Sequence, residues 1–170
     1  MIHCLSIRVS MQHLAKQLKA EIVRKLPAVI GKPFHLMPFP FQKQLLTPVL
    51  LRIFQPALDN GELDFLEGLS IRIEIEDCGL AWTYTYNGHT LEMINVYQAD
   101  AIIRSEMKYF LLLANRKVDP DTLFFQRKLL IEGNTELGLS MKNLMDTLDL
   151  DRLPFPVSKG MQLMENIFSS

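Results

Sequence analysis

The sequence has only two cysteines and one tryptophan among its 170 residues. Cys4 and Cys78 stand alone, without the paired spacings that zinc sites, iron–sulfur clusters and disulfide frameworks require. We expect both to be reduced thiols. No apolar run reaches the roughly 18 residues of a membrane span, and polar residues interrupt the N-terminus where a secretory signal needs a continuous apolar stretch. The sequence therefore predicts a cytoplasmic protein, at most peripheral to a membrane.

Signatures of catalysis and nucleotide binding are also missing. There is no G-x-S-x-G elbow, no P-loop and no G-x-G-x-x-G. The four histidines are scattered, and His89 follows a predicted Asn-Gly turn, where a surface position explains it. Asp119 and Asp121 have a spacing that can hold a divalent metal. Because Pro120 stands between them at a predicted helix start, capping is the simpler explanation, and we predict no metal, no cofactor and no catalytic residue.

Acidic residues are almost missing from the first third of the chain. Up to Arg52 there are eight lysines and arginines against one acid, Glu21, which gives +7, whereas the remainder has ten against eighteen, which gives −8. Such a basic segment can bind phospholipid headgroups, a nucleic-acid backbone or an acidic partner, or it can pack on the acidic body. Its aromatic residues are interleaved with proline and not with lysine or arginine, so we expect no nucleic acid and favour an anionic membrane surface.

Residues 1–40 are predicted to form a basic helix followed by a loop. From Met11 to Leu26 apolar residues repeat at helical spacing, which is typical of a helix that lies on a membrane or docks on the protein. Pro27 should end this helix. Residues 31–41 hold three prolines, which argue against a helix, and their phenylalanines indicate a loop that wraps the core or touches lipid. The residues predicted for membrane contact are Lys16, Lys19, Arg24, Lys25, Phe34 and Phe39.

Residues 41–150 have the patterns of one α+β domain. The predicted elements are helices over 41–59 and 106–117 and strands over 69–76, 80–86, 90–96 and 101–105. A bend or restart is expected at Pro48 in the first helix. An Asn-Gly turn should join the second and third strands as a hairpin. Together these patterns predict a sheet that is polar on one face and covered by helices on the other.

The stretch from Asp119 to Asp149 carries the most specific pattern, DPDTLFFQRKLLIEGNTELGLSMKNLMDTLD. It predicts a short helix capped by Asp119, a strand over 127–132 and an amphipathic helix capped by Asn134. With PALDNGELDFLEG before it, in matching order and spacing, this stretch resembles the sterol carrier protein type 2 domain family. More closely, it resembles the UbiT-type accessory factors of bacterial ubiquinone biosynthesis.

The resemblance implies a fold and a function. The fold would be a five-stranded mixed sheet covered by helices on one face and enclosing an apolar tunnel, with residues 151–170 as a C-terminal amphipathic segment. The function would be that of a non-catalytic lipid carrier in oxygen-independent ubiquinone biosynthesis, which presents prenylated precursors or phospholipids to the UbiU and UbiV hydroxylation proteins. The residues expected to contact lipid, from their facing and from the resemblance, are Ile71, Ile73, Ile75, Phe110, Leu113, Phe124, Phe125, Leu137, Met141, Leu144 and Met145.

Two alternatives to a lipid carrier stay open. A protein–protein adaptor of the same fold would hold no lipid, and an enzyme would need a polar cluster inside its cavity. The nine methionines suit a core that adapts to a variable apolar guest, but methionine also fills ordinary irregular cores.

Overall fold

The computed structural model describes residues 25, 27, 29, 31–147 and 159. The helices are α1 (Phe39–Asp59), α2 (Met107–Ala114), α3 (Pro120–Phe125) and α4 (Thr135–Thr147). The strands are β1 (Ser70–Ile75), β2 (Leu80–Tyr86), β3 (Leu91–Ile94), β4 (Ala101–Ser105) and β5 (Leu129–Gly133). The terminal segment predicted over 151–170 lies outside the described residues except for Lys159, and the predicted helix before Pro27 does so except for Lys25.

The five strands form one sheet in the order β3-β2-β1-β4-β5. β1 and β4 are parallel, and the other neighbouring pairs are antiparallel, so the predicted five-stranded mixed sheet is confirmed. Because β4 lies on the far side of β1, the connection over residues 95–100 must cross both β2 and β1. It crosses the face where Thr83 donates a hydrogen bond of 2.8 Å to the carbonyl oxygen of Val96.

Side chains on the two faces of the sheet differ because successive residues of a strand point in opposite directions. On one face, the isoleucines of β1 adjoin Tyr84, Trp82 and Leu80 of β2, as the register places them. The opposite face carries charged residues of β1, β4 and β5. The sheet therefore has one apolar and one polar face, as the alternation predicted.

The helices cover the apolar face unevenly. α1 packs on β3 at one edge of the sheet, whereas α4 packs on β4 and β5 at the other. α4 approaches β5 closely because Gly138 has no side chain: a methyl group there would lie 2.1 Å from Cγ2 of Ile131. β1 is the central strand, between β3, on which α1 packs, and β4 and β5, on which α4 packs.

A compact core fills the space under α4 and the 3-10 turn Asp64–Leu66. Its largest side chains are almost fully buried, and burial of each contributes about 1.5–3 kcal/mol. They are Leu63, Leu66, Ile71, Met93, Ile103, Leu123 and Leu129.

Two predicted helix caps are confirmed. The side chain of Asp119 accepts a hydrogen bond of 2.7 Å from the backbone N–H of Thr122, at the start of α3. Asn134 accepts one of 3.1 Å from the backbone N–H of Leu137, at the start of α4. Both caps satisfy N–H groups that the first turn of a helix leaves unpaired.

The proline-rich segment was predicted as a loop, and this prediction is wrong. Residues 31–36 are helical, and Pro27, which was expected to end a helix, is itself helical. Contacts made by neighbours of Pro33 offset the hydrogen bond that a proline removes. Gly31 fits against Cys78, because a methyl group at Gly31 would lie 2.2 Å from the Cys78 carbonyl oxygen, and Nε2 of His35 lies 3.3 Å from that same oxygen.

Several helix and strand limits also differ from the prediction; those of α1 and β3 have a physical reason. α1 runs unbroken through Pro48 and Pro56, so no restart occurs there. Pro40 lies in the first turn of α1, where a missing N–H costs nothing. β3 ends at Ile94, two residues earlier than predicted, because the chain leaves the sheet edge there to cross its polar face.

Candidate functional site

Four of the residues predicted to contact lipid are ordinary core residues in this structure. Ile71, Leu137, Met141 and Leu144 are buried in the central hydrophobic cluster. Ile71 is only 1% exposed. The four side chains belong to the same packed cluster. A ligand could reach them only by displacing packed groups.

Four further residues predicted to contact lipid are only partly buried. Ile73, Phe110, Leu113 and Met145 pack against the edge of the same cluster and come from β1, α2 and α4. Each borders the core without being fully buried, and Leu113 and Met145 also line a common cleft. An apolar ligand could contact them without rearrangement of the core.

The remaining three predicted residues lie elsewhere. Ile75 packs against a second, smaller cluster with Cys78, Leu80, Met107 and Leu111. Phe124 is partly buried and contacts Phe125 edge to face, and Phe125 itself is 80% exposed at the end of α3. The structure does not place Phe125 with the other predicted contacts.

Several partly buried apolar residues of α1 and β2 were missed by the sequence reasoning. Leu46, Leu50 and Ile53 of α1 and Trp82 of β2 pack against the edge of the central cluster. The apolar band along α1 was visible in the sequence, but its spacing does not tell which residues remain partly exposed. We call this set of partly buried residues the open groove, a name for side chains that border the core and not for an enclosed cavity; it comprises Leu46, Leu50, Ile53, Ile73, Trp82, Phe110, Leu113 and Met145.

A cleft of about 270 Å³ adjoins the α2 and α4 side of this groove. Leu113, Val118 and Met145 supply its apolar lining, and Asp119 and Asp146 are among the charged residues around it. This cleft is open to solvent, so the enclosed tunnel implied by the resemblance stays a prediction.

The residues predicted for membrane contact have mixed positions. Lys16, Lys19 and Arg24 lie outside the described residues. Lys25 is helical and exposed. Phe34 and Phe39 are partly buried: Phe34 contacts Trp82 edge to face, and Phe39 packs against the core. The exposed apolar residues of this region are instead Val29, Leu36, Phe41 and Leu45.

Alternating charges cross the polar face of the sheet. Glu74 accepts hydrogen bonds of 2.7 Å from Nε of Arg72 and from Nε of Arg104. Arg104 continues the row with a bond of 2.9 Å from Nη1 to Glu132. Partial burial alone would raise the pKa of Glu74, but the hydrogen bonds from the two arginines lower it below its usual value. The row ties β1, β4 and β5 together.

Groups that could support catalysis have structural explanations here. Burial, with a contribution from Asp77, raises the pKa of the Cys78 thiol to about 12, so it is a poor nucleophile. Asp119 caps α3, and Asp121 pairs with Lys142 of α4. Across the described part of the chain no three His, Cys, Asp or Glu side chains are grouped as metal ligands. Nor is any described helix long and apolar enough to cross a bilayer.

The sheet order and the helices on one face define the class to which the chain belongs. Residues 50–146, more than half of the chain, match the model of the SCP-2 sterol transfer family, and the chain belongs to this family. It is 45% identical over 139 residues to the ubiquinone biosynthesis accessory factor UbiT of Escherichia coli strain K12. That match covers 81% of this chain and 79% of the relative, and it confirms the resemblance seen in the sequence.

One solved structure shares the fold at low sequence identity. The ubiquinone synthesis protein UbiJ-SCP2 superposes with a TM-score of 0.50 at 18% identity, over 64% of this chain and 97% of that one. Sterol Carrier Protein 2 from Yarrowia lipolytica, in its apo form, gives a TM-score of 0.43 at 16% identity, over 65% of this chain and 94% of that one.

Proposed function

We propose that this protein is a non-catalytic, lipid-binding accessory factor of ubiquinone biosynthesis. Its ligands would be prenylated quinone precursors, phospholipids or both, which it would present to hydroxylation proteins of the UbiU and UbiV type in the oxygen-independent route. The likeness to UbiT supports the pathway, and membership of the SCP-2 sterol transfer family supports the lipid.

The observation that carries the proposal is the open groove. Its apolar side chains come from α1, the sheet, α2 and α4, and each stays partly exposed although it adjoins the core. A protein that stored no apolar guest would gain by burying them fully, at about 25 cal/mol for each Å² removed from water. Each methylene of a prenyl tail gains about 0.8 kcal/mol on burial, so binding there needs no specific polar contact. We propose that the groove forms part of an apolar tunnel.

A second part of the proposal concerns the membrane. Lys16, Lys19, Arg24 and Lys25 would contact anionic headgroups at the cytoplasmic face of the inner membrane, with Phe34 and Phe39 behind them. Exposed apolar residues lie near Phe34 and Phe39 in the sequence, and among them Leu36 is 86% exposed. Such residues, next to basic ones, would insert into the headgroup layer.

Two leucines of α1 provide a matched test of lipid binding. Leu50 lies in the open groove, whereas Leu45 is 53% exposed on the outer side of the same helix. Protein purified gently would be analysed by native mass spectrometry, and its lipid would be extracted with organic solvent and identified. We expect the wild type and Leu45→Gln to retain lipid and Leu50→Gln to lose most of it. Wild-type protein free of lipid would reject the carrier and favour an adaptor.

Membrane binding would be measured separately, by flotation with anionic liposomes. Neutralising Lys16, Lys19, Arg24 and Lys25 together should abolish flotation, because each basic side chain near an anionic surface contributes about 1 kcal/mol. Leu45→Gln should weaken flotation, while Leu50→Gln should leave it unchanged. Equal flotation of the wild type and the neutralised variant would contradict the membrane role.

A further inference from the structure

A second cleft opens at the outer edge of β2, beyond the end of β3. β3 pairs with Thr83–Tyr86, so within the part of the chain that the structure describes the first half of β2, Leu80–Trp82, has no neighbouring strand on that edge. The cleft has a volume of about 250 Å³. Its walls include Phe34, Phe39 and Trp82 on one side and Arg72 and Tyr97 on the other.

One peptide unit of β2 points its hydrogen-bonding groups into this cleft. The hairpin closes with a bond of 3.3 Å from the N–H of Asn87 to the carbonyl of Thr90. Residues of an antiparallel strand alternate in the edge that they face, so from Asn87 the outward-facing residues are Thr85, Thr83 and Ala81. Thr83 and Thr85 have partners in β3, but Ala81 lies beyond its end. By this alternation the N–H and C=O of Ala81 point away from β1, and no hydrogen bond joins them to a described residue outside the strands.

The polar wall of the cleft offers another free donor. Arg72 is largely buried, donates from Nε to Glu74 and from Nη1 to Thr83, and has no partner for Nη2 within the described chain. The ring of Tyr97 lies over this guanidinium, 4.7 Å from its carbon to the ring centroid. Tyr97 itself is 87% exposed and lies at the rim of the cleft, where its side chain can be truncated by mutation.

The aromatic wall is held in place by Gln42 of α1. Oε1 of Gln42 accepts a hydrogen bond of 2.8 Å from Nε1 of Trp82. Nε2 of Gln42 donates hydrogen bonds to the carbonyl oxygens of Phe34, at 3.0 Å, and Met37, at 2.7 Å. The rings of Phe34 and Trp82 meet edge to face at 6.1 Å. This wall is therefore preorganised, and its exposed ring faces suit stacking on another ring.

The size of the cleft selects a small planar group and not a peptide strand. At one end the chain after β3 turns across the sheet, and at the other His35 lies close to Gly79, where a methyl group would be 3.0 Å from His35 Nε2. An added strand would find only the one outward-facing residue, Ala81. Sites for drug-sized ligands have about 300–1,000 Å³, so 250 Å³ accommodates one substituted ring and not a prenyl chain as well.

The cleft also adjoins the open groove. Trp82 and Phe39 line the cleft and pack against the central cluster. Trp82 pairs with Ile73 across β1 and β2, and both belong to the groove. A ring in the cleft could therefore carry a chain that continues along apolar side chains into the groove.

We propose that this cleft binds the oxygen-bearing aromatic ring of a prenylated phenol or quinone, while the prenyl tail lies in the open groove. This inference rests on the proposed lipid function and adds a site that selects the ring. Ring oxygens accept hydrogen bonds from the N–H of Ala81 and Nη2 of Arg72, and a ring hydroxyl donates to the C=O of Ala81. Lipids with a tail but no ring would bind through the groove alone.

The test compares two probes that share a tail, 2-farnesylphenol and farnesol, on the delipidated full chain. Equilibrium dialysis gives the dissociation constants, and the emission of Trp82, the one tryptophan of the chain, reports on the cleft. Tyr97→Ala removes the rim, and Ala81→Pro removes the N–H at a sheet edge where proline is tolerated. Phe125→Ala is the matched control, because Phe125 is also highly exposed and lies outside the cleft.

We expect farnesylphenol to bind about tenfold more tightly than farnesol, as one hydrogen bond and one ring contact would give. Tyr97→Ala and Ala81→Pro should each remove most of this difference without changing farnesol binding, and Phe125→Ala should change neither. Equal binding of the two probes, or a preference for the ring that survives Tyr97→Ala, would overturn the ring site and leave the lipid function standing. Binding of neither probe would overturn both.

Discussion

The contact between Gly138 of α4 and Ile131 of β5 gives the most direct test of how closely α4 covers the sheet. Alanine is favoured over glycine inside a helix by about 0.8–1 kcal/mol. A methyl group at Gly138 would, however, lie 2.1 Å from Cγ2 of Ile131, and overpacking of this kind costs about 1–3 kcal/mol. Since the clash outweighs the propensity, we expect Gly138→Ala to lower the free energy of unfolding.

Removing the obstacle should reverse the sign of the effect. Ile131→Ala deletes Cγ2 and should cost about 2 kcal/mol by itself, the low end for a large-to-small change because Ile131 is only partly buried. In that background Gly138→Ala meets no clash and should gain about 1 kcal/mol from helix propensity. The two substitutions should therefore be coupled by about 1–3 kcal/mol in a double-mutant cycle.

The cycle would be measured by urea unfolding followed through the emission of Trp82. Gly138→Ala is expected to lower the urea midpoint in the wild type and to raise it in Ile131→Ala. If Gly138→Ala stabilised the protein by similar amounts in both backgrounds, α4 would not approach β5 as closely as this contact requires. The slope of the transition should stay constant, because the surface exposed on unfolding is nearly the same.

Three further predictions concern single residues. Arg127 has a positive φ of 57°, so Arg127→Gly should stabilise the protein by about 0.5–1 kcal/mol in urea unfolding, and a loss of stability would contradict this. In a Cys4→Ser variant, Cys78, with a pKa raised to about 12, should react with a thiol reagent at pH 8 only after unfolding; rapid labelling of the folded protein would refute its burial. Hydrogen bonds from the side chain and backbone N–H of Ser70 lower the pKa of Asp100, so its contribution to stability is present above about pH 4 and disappears as the pH falls through the lowered value. Asp100→Asn should weaken the acid-dependent loss of thermal stability, and an unchanged pH profile would speak against this bond.

The sheet could be predicted from the sequence because its signals are local. Strict alternation fixed β1 to within one residue at each end, and the Asn-Gly turn fixed the β2–β3 hairpin. The helix at residues 31–36 could not be predicted, because it depends on contacts with Cys78 and Trp82, which are more than forty residues away in the chain. The prolines disfavour that helix locally, and the tertiary contacts stabilise it.

The candidate site was predictable only in part, for a related reason. Ile71 and Ile73 share one face of one strand, and the sequence treats them alike. Ile71 is buried at 1% exposure, while Ile73 stays partly exposed in the open groove. The difference comes from which part of the sheet each helix covers, and no periodicity within β1 contains that information.

The uneven cover also bears on where the proposed lipid would lie. α4 is held directly on β5 through Gly138, so the interior beneath it is filled by the protein's own side chains. α1 packs at the opposite edge, on β3, and Leu50 of α1 and Ile73 of β1 stay partly exposed at the border of the core. A tail that entered under α4 would have to displace Met141 and its neighbours, whereas one that entered beside α1 would cover side chains that are already partly exposed. For the lipid proposed above, the favoured route would therefore run along α1 towards Trp82, which also lines the cleft at the end of β3.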